Sequence, residues 1–391
     1  MGAELITDIG ELTTNLPDRP RLNQAALIVE SGRIAWLGAA SDAPAADTVT
    51  SVGGRAVLPG WVDSHTHMVF AGDRSAEFEA RMAGQKYAAG GIATTVGATR
   101  AASDAELAAT IARLRDEARR QGTTFLETKT GYGLDVASEE RSARIAAAQA
   151  DVVTFLGAHI VPADLDARAY LDLVTGPMLR AVAPWVQFID VFCERGAFDV
   201  EQSREVLEAG RSAGLGLRVH GNQLGHSGGV ALAVELGAAS VDHCNALTDA
   251  DVDALADSGT VATVLPACDL STREPLAPAR RLWDAGATVA IATNCNPGTS
   301  YTTSMSYCVA TAVLQMRLTI EEAIWAATRG GAIALGMAES PDAVGLLTVG
   351  GRADLQVLDA PAAAHLAYRP GVPLTAAVWV GGERVALTPS W

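Results

Sequence analysis

The chain has 391 residues, of which 49% are hydrophobic, so it is long enough for two domains or for one large barrel with an appendage. Its 29 Lys and Arg residues against 45 Asp and Glu residues give a formal net charge of -16, which disfavours nucleic acid as a partner. The sequence lacks a run of roughly 20 apolar residues and an N-terminal signal pattern. We therefore expect a cytoplasmic protein that has a small-molecule substrate and no membrane partner.

Short runs in which apolar and polar residues alternate, broken by glycines, occur at both ends of the chain. They cover residues 25–38 near the N-terminus and residues 345–359 and 376–385 near the C-terminus. This alternation is typical of β-strands. The pattern predicts that residues 1–57 and 341–391 form one small β-sandwich domain built from both termini.

Between these ends, strand-like apolar runs alternate with Ala-rich, helix-like segments such as residues 104–121 and 249–258. Alternation of this kind is typical of βα units and a parallel sheet. The strand candidates are residues 57–63, 93–97, 123–128, 152–157, 187–193, 215–219, 239–243, 260–265 and 288–293. Nine candidates exceed the eight strands of a barrel by one, so one of them is an extra strand or a loop. We expect an α/β fold, with residues 58–340 forming a (β/α)8 TIM-like barrel.

The first barrel run ends at His65 and His67. Side chains two residues apart on a strand share one face, so both rings can reach one metal ion. Two histidines on a solvated loop would explain the pair alone equally well. Other strand runs also end in reactive residues, however, and His159, His220 and His243 follow or end three of them. Polar groups at the carboxyl ends of barrel strands are the layout of a barrel active site.

His65, His67 and His220 supply three neutral nitrogen donors, which suit zinc or another borderline divalent metal and leave positions open for water. Such a metal predicts hydrolysis. His243, one strand further on, can stabilise a developing oxyanion or move a proton, or it is a hydrogen-bonded structural histidine. A carbamylated Lys129 bridge is disfavoured because one metal with three histidines needs no bridge.

Three further features suit an anionic substrate. Arg74 follows the histidine pair on an expected loop over the barrel mouth, where a guanidinium can hold a carboxylate, although most arginines simply lie on the surface. Tyr132 lies between two glycines and either offers its hydroxyl or anchors its loop. The turn at residues 296–300 has amides and hydroxyls that can bind a carboxylate, although Pro-Gly turns are common.

These motifs resemble the amidohydrolase superfamily and, within it, the imidazolonepropionase family, along essentially the whole chain. Residues 59–67 are shared by the superfamily, whereas the narrower likeness rests on residues 70–74, 130–134, 155–159, 190–194 and 296–299. The resemblance implies that one divalent metal, zinc or iron, is bound by His65, His67 and His220, with Asn294 at the position of a further ligand. It implies that His243, Asn294 and Gln223 are catalytic residues. It also implies that the substrate contacts Arg74, Tyr132, His159, Gln223, Asn296, Gly298 and Thr299.

The implied reaction opens the cyclic amide of 4-imidazolone-5-propanoate to N-formimidoyl-L-glutamate in histidine degradation, and the implied assembly is a homodimer. Two alternatives stay open. One is a related amidohydrolase or deaminase that acts on a different cyclic amide or amidine. The other is a catalytically inactive homologue that still binds its ligand.

Asn294 departs from the family pattern, which has aspartate before Cys-Asn-Pro-Gly. In the superfamily that aspartate touches the metal and takes a proton from water, which an amide cannot do. A general base contributes about 10²- to 10⁴-fold, so we expect poor hydrolysis unless another group, such as His243, substitutes. Asn294 is an engineered substitution, a natural feature of a paralogue acting on another ring, or a mark of lost catalysis. Residues 265–270 are also atypical, which predicts a reshaped pocket near the seventh strand.

Overall fold

The structure is a computed structural model that describes residues 2–84 and 91–387. The chain divides into two compact units. The first comprises Met1–Asp63, Asp116–Phe125 and Ser304–Trp391, and the second comprises Ser64–Arg115 and Leu126–Thr303. Among the described residues, no helix is both long and apolar enough to cross a bilayer.

The first unit contains a mixed sheet built from both termini. Its strands are β1 (Glu4–Leu16), β2 (Arg19–Glu30), β3 (Arg33–Ala39), β4 (Thr48–Ser51), β5 (Ala56–Pro59), β14 (Leu355–Leu358), β15 (Thr375–Val380) and β16 (Glu383–Leu387). Their order is β16-β15-β14-β5-β1-β2-β3, and β4 pairs with β1. Strand β1 pairs antiparallel with β2 and parallel with β4 and β5. Ile6, Ile9, Leu12 and Trp379 are fully buried in its core, so strands from opposite ends of the chain share one apolar cluster.

The second sheet is the barrel. Its strands are β6 (Trp61–Asp63), β7 (Thr123–Lys129), β8 (Val152–Ala158), β9 (Phe188–Cys193), β10 (Gly216–Gly221), β11 (Ser240–His243), β12 (Val261–Val264) and β13 (Val289–Ile291), and they neighbour one another in chain order. The residues that follow β6 and β13 form a parallel bridge between Thr66 and Cys295. The predicted fold class, an α/β barrel with a β-rich module from both termini, is confirmed.

Helices connect most of the barrel strands and follow the barrel. They are α1 (Ser75–Met82), α2 (Ile92–Ala101), α3 (Asp104–Arg120), α4 (Val136–Ala147), α5 (Ala167–Leu173), α6 (Leu179–Val182), α7 (Val200–Ser212), α8 (Gly229–Glu235), α9 (Asp249–Ala256), α10 (Pro266–Thr272), α11 (Ala279–Asp284), α12 (Met305–Leu314), α13 (Ile320–Trp325), α14 (Gly331–Ala334) and α15 (His365–Tyr368). Capping boxes at Asp199, Thr248 and Thr319 fix the starts of α7, α9 and α13.

Two strand predictions need correction. Residues 93–97, which are the one strand candidate too many, lie inside helix α2, where Ile92, Val96 and Thr99 are buried at helical spacing. Packing of that face outweighs the β-propensity of the β-branched residues. The run at residues 57–63 is divided at Gly60 between β5 of the mixed sheet and β6 of the barrel. A Cβ at Gly60 would lie 2.1 Å from the Thr124 side chain, so this crossing point requires glycine.

Candidate active site

Three buried imidazole rings meet at the carboxyl ends of the barrel strands. The Nε2 atom of His67 lies 3.1 Å from Nε2 of His65 and 3.4 Å from Nε2 of His220. Strand β6 leads into His65 and His67, and His220 lies in β10, so three separate positions deliver one nitrogen each to a common point. This is the histidine set that the sequence singled out for a metal.

Two carboxylates fix the tautomers of two of these three rings. Nδ1 of His65 donates to Oδ2 of Asp242 at 2.7 Å, and Nδ1 of His220 donates to Oδ1 of Asp190 at 3.1 Å. With the proton held on Nδ1, each Nε2 presents a lone pair to the common point. Lone pairs at such short range repel unless a cation lies between them, and carboxylate–histidine pairs of this type orient metal ligands. The donor set therefore fits a divalent metal ion.

Burial also sets the charge of the rings. It lowers the pKa of His65 and of His67 well below the usual range for histidine, and neighbouring rings and Lys129 lower the pKa of His67 further. Both side chains are therefore neutral at neutral pH. Neutral imidazole is the form that binds a metal.

A fully buried charge network surrounds the two orienting carboxylates. The Lys129 ammonium lies 2.9 Å from Glu127 and 3.0 Å from Asp190, and the Arg218 guanidinium lies 3.1 Å from Asp242. Although burial opposes ionisation of Asp190 and Asp242, these cations and the adjacent histidines keep the pKa of each carboxyl below its usual range. Three carboxylates and two cations leave a net charge of -1, which favours a cation nearby.

Sequence reasoning missed most of this network. The available signal was the presence of charged residues inside otherwise apolar strand runs, since Glu127, Asp190, Arg218 and Asp242 all lie within barrel strands. Lys129 was considered only as a carbamylated ligand. In the structure its ammonium forms ion pairs with Glu127, Asp190 and, at 3.9 Å, Asp242 instead.

A narrow cleft opens beside the histidines. Its lining consists of His67, Arg74, Ile92, Tyr132, His159, Phe192, His220, Gln223, His243, Asn294, Asn296 and Thr299. The structure thus gathers most of the sequence-derived site residues around one space. His65 and Gly298 are not among the lining residues, and Ile92 and Phe192 are apolar lining residues that the sequence did not single out.

Arg74 is held by its surroundings in a defined position. Its Nε and Nη2 atoms donate to the Glu77 carboxylate at 2.8 and 2.7 Å. The residue is only 5% exposed. A Cβ at Gly298 would lie 2.2 Å from Nη1 of Arg74, and a Cβ at Gly91 would lie 2.1 Å from Nη2. Gly298 therefore makes room for the guanidinium.

The aromatic side of the cleft contains His159 and Tyr132. The Nδ1 atom of His159 donates to the Gly131 carbonyl at 2.9 Å, its ring stacks on His67 at 5.9 Å, and the Tyr132 ring lies 5.4 Å away. Burial lowers the pKa of His159 to about 4. His159 is thus a neutral ring of fixed orientation beside the histidine set.

The turn after β13 is organised by Asn296. Its Oδ1 accepts hydrogen bonds from the backbone amides of Gly298 and Thr299, both at 2.8 Å, and its Nδ2 donates to the Asn294 carbonyl at 2.7 Å. Thr299 and Asn296 line the cleft, but the amide of Asn296 is already used to shape the turn.

Asn294 and His243 lie beside the three histidines, with the His243 ring centroid 5.4 Å from that of His220, and both have unusual backbone conformations. Their φ angles are 52° and 86°, in the left-handed region, where asparagine is better tolerated than most residues. The backbone N–H of Asn294 donates to the backbone carbonyl of His65 at 3.0 Å. Oδ1 of Asn294 and Nδ1 of His243 are buried without a hydrogen-bond partner. Burial, reinforced by His220, lowers the pKa of His243 to about 3, so His243 is neutral.

Comparison with known proteins shows the family. The sequence profile of the amidohydrolase family matches residues 56–385. An imidazolonepropionase from Saccharopolyspora erythraea is 68% identical over 385 residues, covering 98% of this chain and 99% of the relative. An imidazolonepropionase from Paenarthrobacter aurescens is 63% identical over 399 residues, covering 97% of this chain and 98% of that protein.

Solved structures support the same fold. An adenosine deaminase from Xanthomonas campestris with bound zinc superimposes with a TM-score of 0.75 at 19% identity, covering 98% of this chain and 93% of that one. A triazine hydrolase from an Arthrobacter aurescens source gives a TM-score of 0.77 at 17% identity, covering 99% and 95%. The fold, the profile match and the near full-length identity agree, and the chain belongs to the amidohydrolase family and, within it, to the imidazolonepropionases.

Proposed function

We propose that this chain is a metal-dependent hydrolase that opens 4-imidazolone-5-propanoate to N-formimidoyl-L-glutamate in histidine degradation. The observation that carries the proposal is the convergence of three Nε2 atoms beside a cleft that Arg74 also lines, with carboxylates fixing the tautomers of His65 and His220. Relatives that are 68% and 63% identical to this chain are imidazolonepropionases, which supports the same substrate.

One zinc or iron ion would be held by His65, His67 and His220, with the unpartnered Oδ1 of Asn294 as a further, weaker ligand. When bound, such an ion lowers the pKa of water and polarises a carbonyl oxygen, which is the chemistry that amide hydrolysis needs. Three histidines accept several divalent metals, so the choice of zinc or iron rests on the family resemblance.

The side chains around the cleft would bind and orient the substrate. Arg74 would hold the propanoate group, because a buried guanidinium fixed by Glu77 and two glycines is already ordered for a carboxylate. Tyr132 and His159 would pack against the ring, and Gln223 and Thr299, which also line the cleft, would offer hydrogen bonds.

His243 fits one of its two predicted roles better than the other. With a pKa of about 3, its ring is a weak base at neutral pH but retains an N–H donor. It would therefore stabilise the oxyanion that develops on the ring carbonyl rather than accept the proton of the attacking water. Because Asn294 cannot accept that proton either, we propose that hydrolysis is slow.

The test is an assay of the purified, metal-loaded protein with imidazolone-propanoate. We expect slow appearance of N-formimidoyl-glutamate, about one zinc or iron per chain, and loss of both metal and turnover in His220→Ala. Ring opening releases no ammonia, so ammonia release from an amidine substrate would identify a deaminase instead. Substrate binding without turnover, in this chain and in Asn294→Asp, would identify a non-catalytic binding protein.

A further inference from the structure

A second group of metal-ligating side chains lies beside the proposed metal site. His243 in β11 and Cys268 and Asp269 in α10 each offer one ligand atom, and these three atoms lie within 4.8 Å of one another. All three residues are buried, with exposed fractions of 2%, 0% and 1%. We propose that His243, Cys268 and Asp269 form a second cation site, which takes a borderline or soft divalent metal such as zinc, cobalt or cadmium.

The donor chemistry supports this proposal. An imidazole nitrogen, a thiolate sulfur and a carboxylate oxygen are all ligands of zinc-type ions, and a thiolate selects such ions over magnesium or calcium. In a tetrahedral zinc site, neighbouring ligand atoms lie about 3.3 to 3.8 Å apart, as follows from metal–ligand bonds of about 2.0 to 2.3 Å. Ligand atoms within 4.8 Å therefore need only small side-chain rotations to meet one ion.

His243 provides an independent observation. Its Nδ1 atom is buried without a hydrogen-bond partner, which is costly in a protein interior. The residue also lines the cleft, so an ion and a water ligand have a route to it from solvent. A metal ion here would pair a nitrogen that the polypeptide leaves unpaired.

A third cluster of potential ligands, formed by Asp190, His220 and Asp242, is less suited to a metal because cations already neutralise it. Asp190, His220 and Asp242 also lie within ligand distance of one another, but Lys129 and Arg218 already form ion pairs with the two carboxylates. Among the described residues, no Lys or Arg forms an ion pair with Asp269, and the Arg81 charge near Cys268 favours its thiolate form. Asp269 accepts a hydrogen bond from the Ala277 amide at 3.2 Å, so its carboxylate also anchors the loop after α10.

The site would be inhibitory. His243 would donate a hydrogen bond in the proposed reaction. A metal on its Nδ1 would confine the ring's N–H to Nε2, hold the ring toward Cys268 and Asp269, and add a positive charge to the cleft. This consequence rests on the proposed function, whereas metal binding itself does not. The two are therefore tested by separate measurements.

Metal binding is tested by titrating the zinc-loaded protein with cobalt(II). The three-histidine site contains no thiolate, so a thiolate-to-cobalt charge-transfer band in the near ultraviolet reports cobalt bound elsewhere, and the Cys268 variant assigns the band to the second site. We expect the band to saturate at about one added cobalt per chain. Cys268→Ser should abolish the band and weaken cobalt binding by tenfold or more, and Asp269→Asn should keep the band but also weaken binding. Cys308→Ser, a buried cysteine of helix α12 outside the cluster, should behave like the unmodified protein.

No band at saturating cobalt, or a band that survives in Cys268→Ser, would overturn the site. Unchanged affinity in Asp269→Asn would equally overturn a three-ligand site and leave Asp269 as a loop anchor only. If Cys268→Ser does not fold, as judged by circular dichroism, Cys268→Ala replaces it. In the activity assay, excess zinc should inhibit the unmodified protein and Cys308→Ser but not Cys268→Ser. Equal inhibition of all three would place the inhibition elsewhere, without affecting the spectroscopic result.

Discussion

The two sides of the cleft are organised in different ways. On one side, carboxylates hold Nδ1 of His65 and of His220, and Lys129 and Arg218 balance those carboxylates. On the other side, Nδ1 of His243 and Oδ1 of Asn294 have no hydrogen-bond partner, and both residues have positive φ angles. Carboxylates thus fix the rings of two histidines on the first side, whereas neither the His67 ring nor the polar atoms of the second side have such a partner. Binding and proton transfer are thus separable properties of this site.

The largest expected effect comes from restoring a carboxylate on the second side. Asn294→Asp should raise kcat by about 10²- to 10⁴-fold, because a carboxylate can accept the proton of water and an amide cannot. The measurement is steady-state turnover of imidazolone-propanoate at matched metal content. Asn296→Asp, which alters a neighbouring amide that shapes the turn, is the control and should not accelerate the reaction. An unchanged rate in Asn294→Asp would show that chemistry at position 294 does not limit turnover.

The next effect concerns the charge network of the first side. Lys129→Met removes the ammonium between Glu127 and Asp190, and breaking such a buried pair costs about 3 to 5 kcal/mol of unfolding free energy. Because Asp190 orients His220, metal affinity should also fall by about 10- to 100-fold. Urea unfolding of the metal-free protein and competition with a chelator measure the two quantities.

The double variant Glu127→Gln/Lys129→Met is the matched control, because it removes one charge of each sign. It should recover part of the stability that Lys129→Met loses. Full metal affinity in the single variant would contradict a positioning role for Lys129 and leave it as a structural counter-ion.

A change at Arg74 tests substrate binding independently of the two groups of residues compared above. Arg74→Ala should raise KM for imidazolone-propanoate by about 10- to 100-fold, since a hydrogen bond to a charged group contributes about 1.5 to 3 kcal/mol. The value of kcat should change much less. Arg113→Ala, at an exposed arginine that donates to Tyr301, is the control. An unchanged KM would mean that Arg74 does not hold the propanoate.

Sequence patterns predicted the barrel and the group of residues around its cleft for a physical reason. Parallel strands bring their carboxyl ends to one edge, so polar residues at those ends meet even when they are far apart in the chain. His65, His159, His220 and His243 could therefore be placed together without a structure. At both termini a different pattern, the alternation of apolar and polar residues, predicted the strands of the mixed sheet.

The remaining features depend on tertiary detail that a single sequence does not contain. Helix α2 was mistaken for a strand because packing of Ile92 and Val96 outweighs local propensity. The pairing of Arg218 with Asp242 depends on which strands are neighbours and in which register. The steric role of Gly298 against Arg74 depends on two loops meeting. Neither the ion-pair partners nor this close contact has a local signature.

The smallest expected effect is the pH dependence that His159 gives to folding. Its pKa is about 4 in the folded state and about 6.5 in an unfolded chain. Above pH 6.5 the ring is neutral in both states, and as the pH falls from 6.5 to 4 only the unfolded state takes up the proton. Unfolding free energy should therefore fall in this window, by up to about 1.4 kcal/mol per pH unit from this residue.

His159→Gln should remove that contribution, so its difference from the unmodified protein should vary with pH between 6.5 and 4 and level off outside this window. Urea unfolding of metal-free protein at a series of pH values measures the difference, and the absence of metal keeps ligand release out of the result. His226→Gln, at an exposed histidine, serves as the control. A difference that does not vary with pH would mean that burial does not hold the His159 ring neutral. The description of His159 as a neutral ring stacked on His67 would then be wrong.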